Sequence, residues 1–226
     1  MPTKLEKFEQ YKQFPNCFTY LYNDYALENK HFDLYGQWNS NLFKTNYPIV
    51  IELGCGRGEY TVGLAQKYPQ KNFIGIDYKS NRMWMGAKQS LESKLKNTAF
   101  LRTKVEFLDK VFALNEISEI WITFPDPQVQ KSRIKKRLTH PRFLNLYKKF
   151  LRPQGIIHLK TDNTIFFEYT LEVLRELGLP ILYHTFDLHQ QDIPKEYDEI
   201  RQIQTYYEQL FSAQGHTIKY CQFQLN

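Results

Sequence analysis

The sequence predicts an α/β domain built on a mostly parallel, twisted β-sheet. From residue 47 onward, short apolar and β-branched runs alternate with segments that have helical apolar spacing. Strands that alternate with helices of about 10–15 residues form βαβ units, so helices are expected on both faces of the sheet. The last run, at residues 216–225, is expected to close the sheet as an antiparallel strand.

The individual elements follow from the same two periodicities. Short apolar runs predict strands at residues 47–53, 71–77, 98–102, 118–124 and 155–161. Apolar residues at i, i+3 and i+4 predict helices at residues 59–68, 80–95, 141–151, 164–177 and 198–212. Asn163 is suited to cap the fourth of these helices, and Gly178 and Pro180 are expected to end it.

The 226 residues show no repeat, low-complexity tract or flexible linker that divides them. Residues 1–45 are rich in aromatic side chains without a clear period, so they are expected to form an N-terminal arm packed on the sheet. Residues 46–226 are then expected to form a single domain. This length is ordinary for one α/β unit.

Composition indicates a soluble cytoplasmic protein. Hydrophobic residues make up 42% and charged residues 24%, which excludes a disordered or collagen-like chain. No apolar run approaches the ~18 residues of a membrane helix, and the first twenty residues lack the apolar core of a secretory signal. The three cysteines (Cys17, Cys55 and Cys221) are odd in number and widely spaced, which argues against a disulfide framework.

Basic residues are concentrated in one part of the chain. The net charge is +6, and residues 127–161 contain no Asp or Glu. That stretch holds ten basic residues where about five fall by chance: Lys131, Arg133, Lys135, Lys136, Arg137, Arg142, Lys148, Lys149, Arg152 and Lys160. The alternatives are a solvated helix face and a phosphate-binding surface, and the absence of local carboxylates favours the second.

The loop after the first predicted strand has the features of a ligand site. In an open parallel sheet, ligands bind beyond the carboxyl ends of the strands. Gly54, Gly56 and Gly58 alternate there behind Glu52, a spacing that differs from the nicotinamide fingerprint G-x-G-x-x-G. Glu52 suits a ligand with a cationic amino-acid part, and Asp77, at the end of the next strand, suits ribose hydroxyls. A plain turn and a helix N-terminal residue are the respective alternatives.

A third carboxylate follows the fourth predicted strand. Asp126 lies between Pro125 and Pro127, which restrict the backbone and place the side chain rigidly. A nucleophile motif such as G-x-S-x-G is absent, and the six histidines have no metal-ligand spacing, so no metal is predicted. Cys55 and His158 are expected to pack and not to react.

Together these residues resemble the bacterial tRNA (guanine-N7-)-methyltransferase family, a branch of the S-adenosylmethionine-dependent, Rossmann-like methyltransferases. The resemblance extends from about Tyr47 to the C-terminus. The motifs that carry it are E-L-G-C-G-R-G (52–58), G-I-D (75–77), F-P-D-P (124–127) followed by K-K-R-L (135–138), H-L-K-T-D-N (158–163) and T-Y-Y-E (205–208). The glycine loop is shared by many methyltransferases, whereas F-P-D-P with its basic follower, K-T-D and T-x-Y-E together look specific to this family.

The resemblance implies a Rossmann-like fold, S-adenosylmethionine as cofactor and tRNA as partner. It implies transfer of a methyl group to N7 of a guanosine, at position 46 of the variable loop. The implied cofactor-binding residues are Glu52, Gly54, Gly56, Asp77 and Asp126, with Asp126 also the catalytic carboxylate. The implied substrate-binding residues are Lys131, Asp162, Thr205, Tyr206, Tyr207 and Glu208.

The chain departs from the family pattern at three places. Lys104 stands where an acid usually meets the adenine, so Glu106, backbone groups or apolar contacts are expected to replace it. Gln128-Val129 replaces Trp-Pro after the Asp-Pro pair. Gln130 replaces the first lysine of the next motif, which leaves Lys131 as the nearest ammonium group.

The implied reaction needs few catalytic groups. Guanine N7 carries a free lone pair, so the site must chiefly position the base, and Asp126 is suited to accept its N1–H and amine. Three alternatives remain: a small-molecule methyltransferase, a nicotinamide dehydrogenase and a catalytically silent RNA-binding protein. The basic stretch disfavours the first and the glycine spacing the second.

Overall fold

A computed structural model describes residues 2–21, 31–190, 194–195 and 198–225 of the chain. The described residues form one eight-stranded sheet with the strand order β1-β4-β3-β2-β5-β6-β8-β7. The strands are β1 (Cys17–Thr19), β2 (Ile49–Leu53), β3 (Asn72–Asp77), β4 (Thr98–Arg102), β5 (Ile117–Thr123), β6 (Leu151–Thr161), β7 (Ile181–Thr185) and β8 (Lys219–Gln224). Strands β1 to β6 pair in parallel, and β8 pairs antiparallel with both β6 and β7.

Helices cover both faces of the sheet. They are α1 (Lys4–Gln13), α2 (Glu59–Lys67), α3 (Ser80–Glu92), α4 (Pro141–Tyr147), α5 (Thr164–Glu176), α6 (Asp198–Gln202) and α7 (Tyr206–Ala213). Short 3₁₀ helices follow β4 and β5, at Val105–Lys110 and Lys131–Lys136. The predicted α/β fold with a closing antiparallel strand is confirmed.

Alternation along the strands divides the core between the two faces. Val50 and Trp121 point to the face that α2 and α6 cover, where they pack with Tyr60. Ile51 and Ile120 belong to the larger cluster on the opposite face, which α4 and α5 cover. Because successive side chains of a strand point to opposite faces, one apolar run supplies both clusters, which is why β2 is buried at all five positions.

The chain order reverses direction at β2. From β2 it passes to β3 and β4 on one side, and then crosses to β5 and β6 on the other. Loops leave β2 and β5 on opposite faces at this switch point, which opens a crevice at their carboxyl ends. The loops that begin after Leu53, Asp77 and Thr123 meet at that crevice.

The N-terminal residues have more regular structure than the sequence analysis predicts. Helix α1 begins at a capping box, in which the Thr3 hydroxyl accepts from the Glu6 N–H and the Glu6 carboxylate accepts from the Thr3 N–H. Strand β1 then adds to the edge of β4, and the Tyr11 hydroxyl donates to the Phe100 carbonyl at 2.9 Å. The division of the chain at residue 45 stays a prediction.

Two predicted helices differ in extent. The prediction of one helix at 198–212 is wrong, because Thr205 caps a new helix there by accepting from the Glu208 N–H. Helix α4 ends at Tyr147, four residues before the predicted end, and β6 begins at Leu151. Strand β7 was not predicted. Across the residues that the structure describes, every helix is too short or too polar to cross a bilayer.

Candidate active site

A cavity of about 590 Å³ opens at the carboxyl ends of β2, β3, β5 and β6. Eight residues that the sequence analysis predicts for the site line it: Glu52, Gly54, Gly56, Asp77, Asp126, Asp162, Thr205 and Tyr207. The remaining lining residues are Cys55, Arg57, Glu59, Arg82, Thr123, Phe124, Pro125, Pro127, Gln128, Lys136, Leu138 and Phe211. Residues separated by up to 159 positions in sequence, Glu52 and Phe211, therefore meet at one edge of the sheet.

The glycine loop presents backbone to this cavity. Gly54 and Gly56 have φ values of +73° and +55°, in the left-handed region that favours glycine. A Cβ atom added at Gly54 meets no atom within 4 Å, so the backbone there is open to a ligand. The Gly56 N–H donates to Asp77 Oδ2 at 3.0 Å, and Asp77 Oδ1 accepts from the Lys79 N–H at 2.8 Å. Each carboxylate oxygen of Asp77 thus keeps acceptor capacity for a hydroxyl group.

Glu52 lies deeper in the wall of the cavity. One carboxylate oxygen accepts from the Thr61 N–H and hydroxyl, and the other accepts from the Thr123 hydroxyl. Burial raises the pKa of Glu52 to about 7, although these hydrogen bonds act in the opposite direction. A cationic group at the cavity would favour the ionised carboxylate and would find one acceptor position left on Oε1.

Asp126 lies on a turn that two left-handed residues enclose. Phe124 and Gln128 both have a φ of +47°, a conformation that costs roughly 1–3 kcal/mol for a non-glycine residue. The Gln128 N–H donates to Asp126 Oδ1 at 3.0 Å. Arg137 is 4% exposed and stabilises the turn, because its Nε donates to the Pro127 carbonyl at 3.1 Å. The guanidinium group also lies 4.4 Å from the ring centroid of Tyr169.

Helix α7 closes one side of the cavity. Tyr207 and Phe211 line the cavity and stack with a centroid distance of 6.1 Å. The start of the helix contacts the first residue of α2, because the Tyr206 N–H donates to Glu59 Oε2 at 3.0 Å. The Arg57 guanidinium lies 4.4 Å from the centroid of the exposed Tyr206 ring.

Glu208 does not reach the cavity. Its side chain is fully buried, and Oε2 accepts from Lys160 Nζ at 2.7 Å while Oε1 lies 3.0 Å from His189 Nε2. Lys160 also donates to the Ile200 carbonyl at 3.0 Å. Burial lowers the pKa of Lys160, and the Glu208 carboxylate partly offsets that effect. The pair ties α6 and α7 to the central sheet.

Three predicted site residues lie outside the cavity lining. These are Lys131, Tyr206 and Glu208, and their contact with a nucleoside stays a prediction. Lys136 lines the cavity instead of Lys131, at the opposite end of the same 3₁₀ helix. Thr123 and Gln128 were missed, although both immediately flank the F-P-D-P motif at a strand end. Arg57 and Glu59 were missed because the glycine spacing predicts backbone contacts with a ligand and gives no information on the side chains between and after the glycines.

The basic stretch is less uniform than its sequence suggests. Arg137 and Lys160 are buried, so they present no charge to a phosphate. Arg142 pairs with Glu106 at 3.1 Å, and Lys149 pairs with Asp109 at 2.7 Å, since the 3₁₀ helix after β4 brings carboxylates that are distant in sequence. The interpretation that no carboxylate lies near these cations is therefore wrong for those two residues. A second group is exposed without an ion pair among the described residues: Lys131, Arg133, Lys135, Lys136, Lys148 and Arg152.

The region beside Asp77 contains Lys104, which departs from the family pattern just after β4. Lys104 is exposed, with Nζ 5.6 Å from the ring centroid of Tyr78. Arg102 lies on the same ring, at 5.6 Å. The Glu106 carboxylate, an expected replacement, forms an ion pair with Arg142. The Thr103 hydroxyl is buried without a hydrogen-bond partner in the described part of the chain, which makes it a further polar group at this strand end.

His158 and Cys55 have the packing roles that the sequence analysis predicts. The His158 ring stacks on Trp121 at 3.8 Å and is 6% exposed, and Nδ1 lies 2.8 Å from the Tyr220 hydroxyl. Cys55 is buried, and burial raises the pKa of its thiol. In the described ranges, His, Cys, Asp and Glu side chains form no group of three or more that is arranged to hold a metal ion.

Two solved ribosomal RNA methyltransferases have the same architecture. A 16S rRNA methyltransferase, KamB, superimposes with a TM-score of 0.63 at 13% identity, over 87% of this chain and 95% of that one. A 30S ribosomal A1408 methyltransferase from an uncultured bacterium gives 0.60 at 15% identity, over 87% and 96%. At such identities the likeness establishes the fold, which is that of the Rossmann-like methyltransferases.

Sequence comparison then gives the family. A family model described as "Putative methyltransferase" matches residues 46–221. The chain is 49% identical over 222 residues to the tRNA (guanine-N(7)-)-methyltransferase of Bacteroides thetaiotaomicron, which covers 98% of this chain and 85% of the relative. It is 48% identical over 223 residues to that of Christiangramia forsetii, with 98% and 97% covered. The chain belongs to the tRNA (guanine-N(7)-)-methyltransferase family.

Proposed function

We propose that this protein transfers a methyl group from S-adenosylmethionine to N7 of a guanosine in tRNA. The observation that carries the proposal is the convergence of Glu52, Asp77 and Asp126 on one cavity, in a chain that belongs to this family. We assign the reaction to residues 46–226, with residues 1–45 as a packed N-terminal arm, and to the cytoplasm. The target is the guanosine at position 46, in the variable loop.

The residues at the cavity fit S-adenosylmethionine. Its α-ammonium group suits the remaining acceptor position on Glu52, and its ribose hydroxyls suit the two oxygens of Asp77. The open backbone at Gly54 and Gly56 accommodates the chain between those ends. Bound there, S-adenosylmethionine supplies an electrophilic methyl group on a sulfonium centre.

We assign to Asp126 the role of binding the guanine base that is methylated. Asp126 is exposed to the cavity on a turn fixed by two prolines and by Arg137, so its carboxylate is positioned before any substrate arrives. Guanine N7 is already nucleophilic and needs no general base. The carboxylate accepts the N1–H of guanine, holds the base in line and favours the positive charge that the base gains on methylation.

The other side of the cavity suits a base that has left its stack. Tyr207 is 40% exposed and lies on the cavity wall, so its ring is available for stacking. Asp162 and Thr205 contribute polar groups beside it. Lys136 lies where the cavity meets the exposed Lys131, Arg133 and Lys135 of the 3₁₀ helix, which suit the phosphates that flank the target nucleotide.

The test is methyl transfer to a defined position. Labelled S-adenosylmethionine is incubated with an unmodified tRNA transcript and with the same transcript carrying adenosine at position 46. Chemical cleavage at 7-methylguanosine then locates the product. The proposal expects one cleavage site, at position 46, and none in the second transcript. Transfer to another position would overturn the choice of target, and RNA binding without transfer would favour the silent RNA-binding alternative.

A further inference from the structure

Gln128 combines three unusual features beside Asp126. Its φ of +47° is in the left-handed region, and its N–H donates to Asp126 Oδ1 at 3.0 Å. Its carboxamide oxygen Oε1 is buried and accepts no hydrogen bond from any described residue. A buried acceptor without a donor destabilises the folded state. Strain and unsatisfied polar groups that persist at a cavity wall point to a ligand that satisfies them.

The side chain of Gln128 is not needed to hold the turn. Pro125 and Pro127 restrict the backbone on both sides of Asp126, and Arg137 Nε holds the Pro127 carbonyl at 3.1 Å. The contact from Gln128 to Asp126 comes from the backbone N–H, which any residue except proline would supply. Gln128 is one of the residues that line the cavity, so its side chain lies next to what the cavity would hold.

Two acceptors are therefore available on this turn, two residues apart in sequence. Asp126 Oδ2 makes no hydrogen bond to the described residues, and Gln128 Oε1 is the second acceptor. The Watson–Crick edge of guanine carries two adjacent donors, N1–H and the exocyclic amine. Adenine has an acceptor at N1 instead, so it would meet the carboxylate with its lone pair. The terminal torsion of a glutamine is broad, which lets the carboxamide turn to a ligand while the backbone stays in place.

We propose that Gln128 is a specificity-determining residue whose carboxamide oxygen accepts the exocyclic amine of the target guanine, while Asp126 accepts N1–H. This assignment rests on the proposed function, since it concerns the base that the enzyme methylates. It also explains how a chain with Gln-Val in place of Trp-Pro recognises its base. A site built to satisfy two donors rejects a base that lacks one of them.

The test combines a protein change with a change in the base. Wild type and Gln128→Met are compared on two tRNA transcripts that carry either guanosine or inosine at the methylated position. Inosine keeps N7 and N1–H but lacks the exocyclic amine. The wild type is expected to methylate the inosine transcript about 5–20-fold more slowly under single-turnover conditions. Gln128→Met is expected to methylate both transcripts at the same reduced rate.

Gln130→Met is the matched control, because Gln130 is exposed two residues further along the chain. It should discriminate against inosine as the wild type does, and thermal unfolding of both variants checks that they fold. If Gln128→Met still discriminates against inosine, the amine is read elsewhere and the proposal is overturned. Calorimetry of Gln128→Met is a second measurement. If its affinity for S-adenosylmethionine falls by the same factor as its rate of methyl transfer, the carboxamide binds the cofactor and not the base, and the proposal is overturned. A wild type that methylates neither transcript would refute the proposed function itself.

Discussion

The ion pair between Lys160 and Glu208 predicts a large loss of stability when one partner is removed. Both side chains are fully buried, the Nζ–Oε2 distance is 2.7 Å, and Nζ also donates to the Ile200 carbonyl. Lys160→Met leaves the Glu208 carboxylate without its cation, a loss of the kind that costs about 3–5 kcal/mol. For a chain of this size each kcal/mol lowers Tm by about 2–4 °C, so we expect a fall of roughly 6–20 °C.

The assay is thermal and urea unfolding of four proteins at pH 7. Lys148→Met is the control, because Lys148 is exposed and its loss should change Tm little. The double variant Lys160→Met/Glu208→Leu should recover much of the loss, since apolar groups of similar volume often replace a buried pair at little cost. A Tm for Lys160→Met within 2 °C of wild type, well below that range, would refute the reasoning that this pair holds α6 and α7 on the sheet.

Three further predictions concern the cofactor, pH and tRNA. Asp77→Ala should weaken S-adenosylmethionine binding by about 1.5–3 kcal/mol in calorimetry, the range for hydrogen bonds to a charged group, and unchanged affinity would remove Asp77 from the site. Because burial raises the pKa of Glu52 from 4.5 to about 7, the folded state holds its proton more tightly, and stability falls as pH rises from 5 to 8. Glu52→Gln lacks this dependence. In urea unfolding, its free energy of unfolding relative to that of the wild type should therefore rise by about 2–3 kcal/mol between pH 5 and pH 8. If the free energies of unfolding of the two proteins changed in parallel with pH, the pKa shift would be contradicted. Changing Arg133, Lys135 and Lys136 together to Ala should flatten the slope of log tRNA affinity against log salt by about 2–3, whereas an unchanged slope would show that these cations meet no phosphate.

The strand-end rule allowed much of the site to be predicted. Glu52, Asp77 and Asp126 each follow a recognisable apolar run, and parallel strands bring their carboxyl ends to one edge. The rule requires only that the strands be recognised from their apolar runs, so it can be applied without knowing how helices pack on the two faces of the sheet. The same period gave the strands at residues 49–53 and 72–77 to within two residues.

Burial of charged groups could not be predicted in the same way. Arg137 and Lys160 belong to a run rich in cations, and a count of charges does not distinguish a buried cation from an exposed one. Lys160 is buried because α6 and α7 lie over it, and their position depends on contacts about 40 residues away in sequence. The start of α1 carried a visible signal, the capping box of Thr3 and Glu6, but the unclear apolar period around it hid the helix.

The backbone of the turn that carries Asp126 is the other feature that sequence reasoning missed. Two prolines predict a rigid turn, but the left-handed conformations fall on Phe124 and Gln128, residue types that rarely adopt them. Tertiary contacts impose this geometry, including the hydrogen bond from Arg137 to Pro127. The sequence shows Gln128 only as a departure from the family pattern, and the structure shows that it lines the cavity.

The most direct test of the account is the rate of methyl transfer by Asp126→Asn, measured beside its cofactor affinity. Asparagine keeps the shape of the side chain but loses its charge and half of its acceptor capacity. We expect single-turnover transfer to position 46 of a tRNA transcript to fall by about 100-fold or more, the scale seen when one preorganised electrostatic contact is removed. S-adenosylmethionine affinity should change much less. Transfer at close to the wild-type rate would contradict the central claim that the Asp126 carboxylate holds the guanine that is methylated.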